Sequence, residues 1–321
     1  METAASRRGF ILGAMAAGSS VLACGQTPPG GGSQRASGAS GYSLDSKGLL
    51  RIAVPGLKES VRFIFASDTH LALADGRDAQ YAGNYARMAK YPGSPKAFSQ
   101  TLSKAKELDA DLVALTGDII SFPTLANVEY VAGELRKCGV PWIYTAGNHD
   151  WHFEGDAGSD ASQRDAWMEK RLGPLYPDGV NPLMYSMLVK GVRFVAIDNS
   201  IYHITAAQLA FWREEAAKGD PVVLLMHIPF WTEGFGLYTC ANPEWGAATD
   251  AIWQIERREK WAARQSEESF ALRREVLSAP NLVAVLTGHI HRGLSASERG
   301  KYMFSVPQNN KGAFWETTLM P

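Results

Sequence analysis

The run Leu282 to Leu286, LVAVL, is apolar at every position. Successive side chains of a β-strand point to opposite faces, so such a run suits a strand only where both faces are covered. Five more segments read as strands: VRFIFAS from Val61, LVALTG from Leu112, PWIYTAG from Pro141, VRFVAID from Val192 and VVLLMH from Val222. Several of these are also apolar throughout rather than alternating. A chain built from them has to place layers on both sides of its sheets. Stretches with helical periodicity lie between them, starting at Ser94, Thr124, Thr205 and Ser266. Thr205 with Gln208 forms a capping box, and Gly139 and Gly219 read as C-terminal caps. KYMFSVPQ and AFWETTLMP read as closing strands. The alternation predicts α/β layers around one sheet or a pair of sheets.

The bulk numbers are those of a globular protein: 321 residues, 45% hydrophobic and 20% charged. The formal net charge of -1 supplies no basic field, so no nucleic-acid-binding surface is expected.

Chemistry collects at the strand ends. VRFIFAS runs into Asp68-Thr69-His70, LVALT into Gly117-Asp118, and WIYTA into Gly147-Asn148-His149-Asp150. VVLLM ends in His227, and LVAVLT runs into Gly288-His289-Ile290-His291. Each alone is an ordinary turn or cap signal. Five in this order, at the edge where α/β folds bind ligands, point to a shared site. Seven donors result: Asp68, His70, Asp118, Asn148, His227, His289 and His291. They offer carboxylate, imidazole and amide but no thiolate, which suits Fe, Mn, Zn or Co. Seven exceed what one ion needs, so two ions about 3.5–4 Å apart are the natural arrangement. In a regular strand His289 and His291 would project together. If they serve different ions, the chain has to leave strand geometry, and Gly288 is the residue expected to allow it.

These blocks, D-T-H, G-D, G-N-H-D, H and G-H-I-H, resemble the calcineurin-like metallophosphoesterases over roughly Val61 to Gly293. The resemblance implies a four-layer α/β/β/α sandwich of two mixed β-sheets flanked by helices. It implies that Asp68, His70 and His291 hold one metal, that Asn148, His227 and His289 hold the other, and that Asp118 bridges them. The implied activity is hydrolysis of a small-molecule phosphoric ester by a metal-bridging hydroxide, as phosphodiesterase or phosphomonoesterase. His149 is the candidate leaving-group donor. Asp150 either orients His149 or serves the fold. Purple acid phosphatases are similar but carry tyrosine where this chain has Ser121 and glycine where it has His70. The chain therefore looks closer to the D-x-H branch, which includes cyclic-nucleotide and glycerophosphodiester phosphodiesterases. The alternative reading is a non-catalytic binding scaffold on the same fold.

Other segments carry separate expectations. SRRGF followed by ILGAMAAGSSVLAC resembles a twin-arginine export signal ending in a lipoprotein-type site, so residues 1–24 read as an address and Cys24 as a lipid anchor. A periplasmic or membrane-anchored extracytoplasmic location follows. Residues 25–41, rich in Gly, Ser and Pro, form a flexible linker, and residues 42–321 form the domain. Cys138 is expected to be buried, with a disulfide to Cys240 as the alternative. The aromatic stretch at about 229–261 is longer than a normal connection and reads as a lid. Phe230, Trp231 and Arg292 are candidate substrate contacts, with packing or solvation as the competing reading. Asp198 is expected in a turn or supporting role, His203 in a loop and His152 at the surface.

Overall fold

The computed structural model describes residues 41–73, 76–81, 94–151, 160–230, 232 and 266–321. Its strands in chain order are β1 Tyr42–Leu44, β2 Leu49–Ala53, β3 Val61–Ala66, β4 Leu112–Leu115, β5 Trp142–Tyr144, β6 Met184–Val189, β7 Val192–Ile197, β8 Val222–Leu225, β9 Leu282–Thr287, β10 Leu294–Glu298, β11 Lys301–Ser305 and β12 Trp315–Met320. The helices are α1 Ser94–Glu107, α2 Leu125–Cys138, α3 Asn148–Trp151, α4 Asp160–Trp167, α5 Ala206–Ala217 and α6 Glu267–Val276. The strands form two six-stranded sheets, ordered β1-β2-β12-β3-β4-β5 and β10-β11-β9-β8-β7-β6. Both are mixed. β3, β4 and β5 run parallel in the first sheet, and β7, β8, β9 and β11 run parallel in the second.

The wholly apolar strands are buried on both faces. In β8, Val223 and Leu225 join the large cluster between the sheets, while Val222 and Leu224 join Trp212, Leu272 and Val276 beneath α5 and α6. β7 divides in the same way. Phe194 meets Phe63 of β3 edge-on at 5.2 Å, and Val195 and Ile197 belong to the helix-covered side. Phe98, Leu102, Val128, Val131 and Leu135 of α1 and α2 are buried in the first cluster. The architecture is the expected sandwich of two sheets flanked by helices.

Local signals set the helix ends. Thr124 accepts from Asn127 N, Ser266 accepts from Ser269 N, and Thr205 with Gln208 completes a reciprocal capping box. Gly139 closes α2 at φ 73°, and Gly219 follows α5 at φ 83°. The segment expected to close the fold as a strand does so from inside. β12 lies between β2 and β3, parallel to one and antiparallel to the other, with Thr317 and Leu319 fully buried.

Strands β1, β2, β6 and β10 were not singled out from the sequence. They are short or partly polar, and β1, β6 and β10 lie at sheet edges, where one strand side needs no partner. Cys138 is a buried free thiol, and its Sγ donates to Leu102 O at 3.3 Å. The expected export signal with Cys24, the linker apart from Gly41, His152, Cys240, Trp231 and the insert apart from Pro229, Phe230 and Thr232 lie outside the described residues. Among the described residues, no helix is long and apolar enough to cross a membrane.

Phe63 is 1% exposed at the contact between the sheets, whereas Leu188 is 56% exposed. Phe63→Ala is expected to lower unfolding free energy by about 3–5 kcal/mol in denaturant titration. Leu188→Ala should change it by no more than about 0.5 kcal/mol.

Candidate metal centre

The five strand ends converge. Asp68 and His70 follow β3, Asp118 follows β4, Asn148 opens α3 after β5, His227 follows β8, and His289 and His291 follow β9. Five of these residues have left-handed backbones: Asp68 (φ 56°), His70 (51°), Asp118 (51°), His289 (69°) and His291 (56°). Each such residue is disfavoured by about 1–2 kcal/mol, so the surroundings have to hold it there. Hydrogen bonds between the loops do this. Asp68 N donates to Gly117 O at 3.0 Å, His70 N to Asp118 O at 2.9 Å, and Gly288 N to His227 O at 3.0 Å.

The expectation for Gly288 needs correcting. The chain leaves strand geometry at His289 and His291 themselves, and Gly288 is not among the residues with positive φ. Glycine is required there for space, because a Cβ would run into Ser67 Oγ and the Asp68 carboxylate. Gly147 is crowded likewise by Asp118. At Gly117 (φ 89°) a Cβ would lie 2.7 Å from His227 Nδ1.

The donors form two groups sharing one member. Asp68, His70, Asp118 and His291 bring ligand atoms within 4.8 Å of one another, and so do Asp118, His227 and His289. In the first group His291 Nε2 lies 3.2 Å from Asp68 Oδ1, and His70 Nε2 lies 3.1 Å from His291 Nε2 and 3.8 Å from Asp118 Oδ2. In the second, His227 Nε2 lies 3.2 Å from that same Asp118 Oδ2, and Asn148 Oδ1 lies 3.1 Å from His289 Nδ1. Asn148 thus joins the second group. The other carboxylate oxygen, Asp118 Oδ1, accepts from His149 N at 2.8 Å.

These contacts fit bound cations. His227 Nδ1 lies 2.7 Å from Thr116 O, and a carbonyl can only accept, so Nδ1 carries the proton. In the neutral imidazole Nε2 then keeps a lone pair, which is buried, makes no hydrogen bond of good geometry and faces a carboxylate. A cation between them resolves the repulsion. Burial opposes a charged His227, yet the Asp118 carboxylate lifts its pKa to about 9. Burial drives His70 down to about 3. Burial favours protonated Asp118 and Asp68, but the imidazoles around them hold Asp118 well below the usual carboxylate range and Asp68 below it.

Other residues hold the ligand loops in place. Asp150, wholly buried, accepts from Gly147 N at 2.7 Å, Asp118 N at 2.8 Å and Ile120 N at 2.9 Å. Burial and the nearby Asp118 charge raise its pKa to about 7. Its carboxylate is therefore occupied in pinning the Asp118 loop, which favours the second of its two readings, service to the fold. The His149 ring lies 5.0 Å from that of His70, edge to face.

For Phe230 the burial favours packing over substrate contact. The residue is 6% exposed and lies in the buried cluster that includes Leu272 and Val276. Arg292 is exposed beside His291. Asp198 caps its own turn, accepting from Ser200 N and Ser200 Oγ, and Ser121 is buried. His203 is half-buried in the loop before α5.

Two asparagines escaped the sequence reading. Asn199 Oδ1 accepts from His227 N at 3.1 Å and Ile228 N at 3.0 Å, while its Nδ2 donates to Ile228 O at 2.7 Å. Asn309 N donates to Ser67 O at 2.8 Å, and Asn309 Oδ1 accepts from Thr69 Oγ1 at 3.1 Å. Both hold ligand loops through an amide, and no motif spacing marks them.

A probable cyclic nucleotide phosphodiesterase of Psychrobacter sp. (strain PRwf-1) is 25% identical over 224 residues, covering 68% of this chain and 56% of that protein. A second protein so named, from Psychrobacter arcticus, is 23% identical over 215 residues, covering 63% of this chain and 64% of its own length. The chain thus spans between about half and two thirds of these curated relatives. A crystal structure of a dimetal phosphatase from Danio rerio superposes with a TM-score of 0.51 at 13% identity, covering 80% of this chain and 92% of that one. That likeness is one of fold. The profile described as calcineurin-like phosphoesterase matches residues 61–293, which contain every donor in both groups, and the chain belongs to that family.

Proposed function

We propose that the chain is a metal-dependent hydrolase of phosphoric esters that works with two cations, one in each donor group. The observation that carries the reading is Asp118 Oδ2, which faces His70 in one group and His227 in the other. Two cations so held supply a nucleophile from water at neutral pH and neutralise phosphate oxygens. Asp68, His70 and His291 hold one side, and Asn148, His227 and His289 hold the other. Thr116 fixes the tautomer of His227, and Asp150 and Asn199 keep the Asp118 and His227 loops in place. His149, half-buried beside His70, holds a proton for the ester oxygen that leaves. The names of the two curated relatives favour a phosphodiester, such as a cyclic nucleotide, as substrate. All seven donors and His149 are present, which argues against a scaffold without catalysis. Residues 1–24 would direct the chain out of the cytoplasm, with Cys24 as the acylated residue.

Metal analysis of purified chain should find two Fe, Mn, Zn or Co ions per molecule, and His227→Ala should hold no more than one. Chelation should abolish cleavage of a phosphomonoester and phosphodiester panel, and added Mn or Zn should restore it. A protein that binds no transition metal and cleaves neither class would end this reading.

His149→Ala should keep both ions while losing about 10²–10⁴-fold in kcat. Loss of metal in that variant would instead make His149 part of the ion-binding framework.

A further inference from the structure

Among the described residues, nine that are not glycine adopt positive φ. Five are the candidate ligands Asp68, His70, Asp118, His289 and His291. Three lie in turns: Asp109 follows α1, while Lys190 and Arg299 open two-residue hairpins completed by Gly191 and Gly300. The ninth is Tyr202, at φ 71°. It sits in the loop between β7 and α5, and glycine or asparagine would relieve its backbone there. A bulky ring held in this conformation points to a constraint placed on the side chain.

The loop is braced against the metal centre. Tyr202 N donates to Asn199 O at 2.8 Å, and the Asn199 amide is locked onto His227 and Ile228. Ser200 Oγ accepts from Trp151 Nε1 of α3 at 2.8 Å, and Ile204 N donates to Ser269 Oγ of α6 at 3.0 Å. Ile201 and Ile204 on either side are buried. The half-buried Tyr202 ring lies 6.0 Å from the ring of His289 at 85°. His149 flanks the first donor group, and Tyr202 flanks the second.

We propose that Tyr202 determines specificity by contacting the organic substituent of the phosphoric ester beside His289, favouring an aryl group or nucleobase. Aromatic rings attract one another edge-on or offset beyond simple burial, which corresponds to about a tenfold preference in affinity. The proposal rests on the phosphoesterase reading, so its test uses binding rather than turnover.

The probes are phenylphosphonate and methylphosphonate, which lack a cleavable ester, titrated calorimetrically into the metal-reconstituted full chain. Wild type should bind the phenyl compound about tenfold more tightly. Tyr202→Ala should erase that preference at unchanged metal content, and Tyr202→Phe should retain it. Tyr202→Asn suits the left-handed backbone and provides a second small variant if the alanine form folds poorly. Equal affinities in wild type, or a preference that survives in both small variants, would overturn the proposal. Loss of metal in both small variants would also overturn it, by making Tyr202 a buttress for His289. If wild type binds metal but cleaves no ester, the phosphoesterase reading fails while the phosphonate comparison still decides the role of Tyr202.

Discussion

The carboxylate of Asp118 is where the constraints on this protein meet. Oδ2 faces imidazoles of both donor groups, Oδ1 takes the amide of His149, and the residue's own amide is held by Asp150. Its own backbone is left-handed, at φ 51°. Gly147 has to be glycine because that carboxylate occupies the space a Cβ would need. A single buried acid therefore dictates the residue opposite it, the conformation beneath it and the hydrogen bonds around it.

The sandwich makes this convergence available. Parallel strands β3, β4 and β5 in one sheet, and β8 and β9 in the other, release their loops toward a common region. Helices on the outer faces and Phe63 against Phe194 between the sheets fix how far apart those ends lie. The far end of the chain takes part as well. β12 inserts next to β3, and Asn309 just before it ties down the loop carrying Asp68 and His70. Residues more than two hundred positions apart in sequence thus stand in one hydrogen-bonded loop system.

How legible a feature was depended on whether its cause is local in sequence. The six core strands and four main helices showed through because burial on both faces and capping leave local patterns. The donors showed through because each follows a strand and their types match one chemistry. Asn199 and Asn309 did not, because an asparagine that braces a distant loop looks like any turn former. Gly288 was noticed for the wrong reason: its need is a close approach of Ser67, a contact between loops of the two sheets that no local pattern encodes. Phe230 was left open for a related reason, since an aromatic next to a candidate ligand can point toward solvent or into the core, and only packing decides.

A bound cation would connect strain, burial and charge at this site. The left-handed backbones of five candidate ligands and, in neutral His227, a lone pair facing a carboxylate oppose folding when considered singly. A proton on His227, which Asp118 favours, relieves that contact, but burial holds His70 neutral down to about pH 3. Cations of higher charge satisfy both kinds of donor at once and need no proton on either. Metal binding and folding are then linked, since any cation that binds only the folded chain adds its binding free energy to stability. In that state the strained backbones become the means by which ligands from both sheets are held ready.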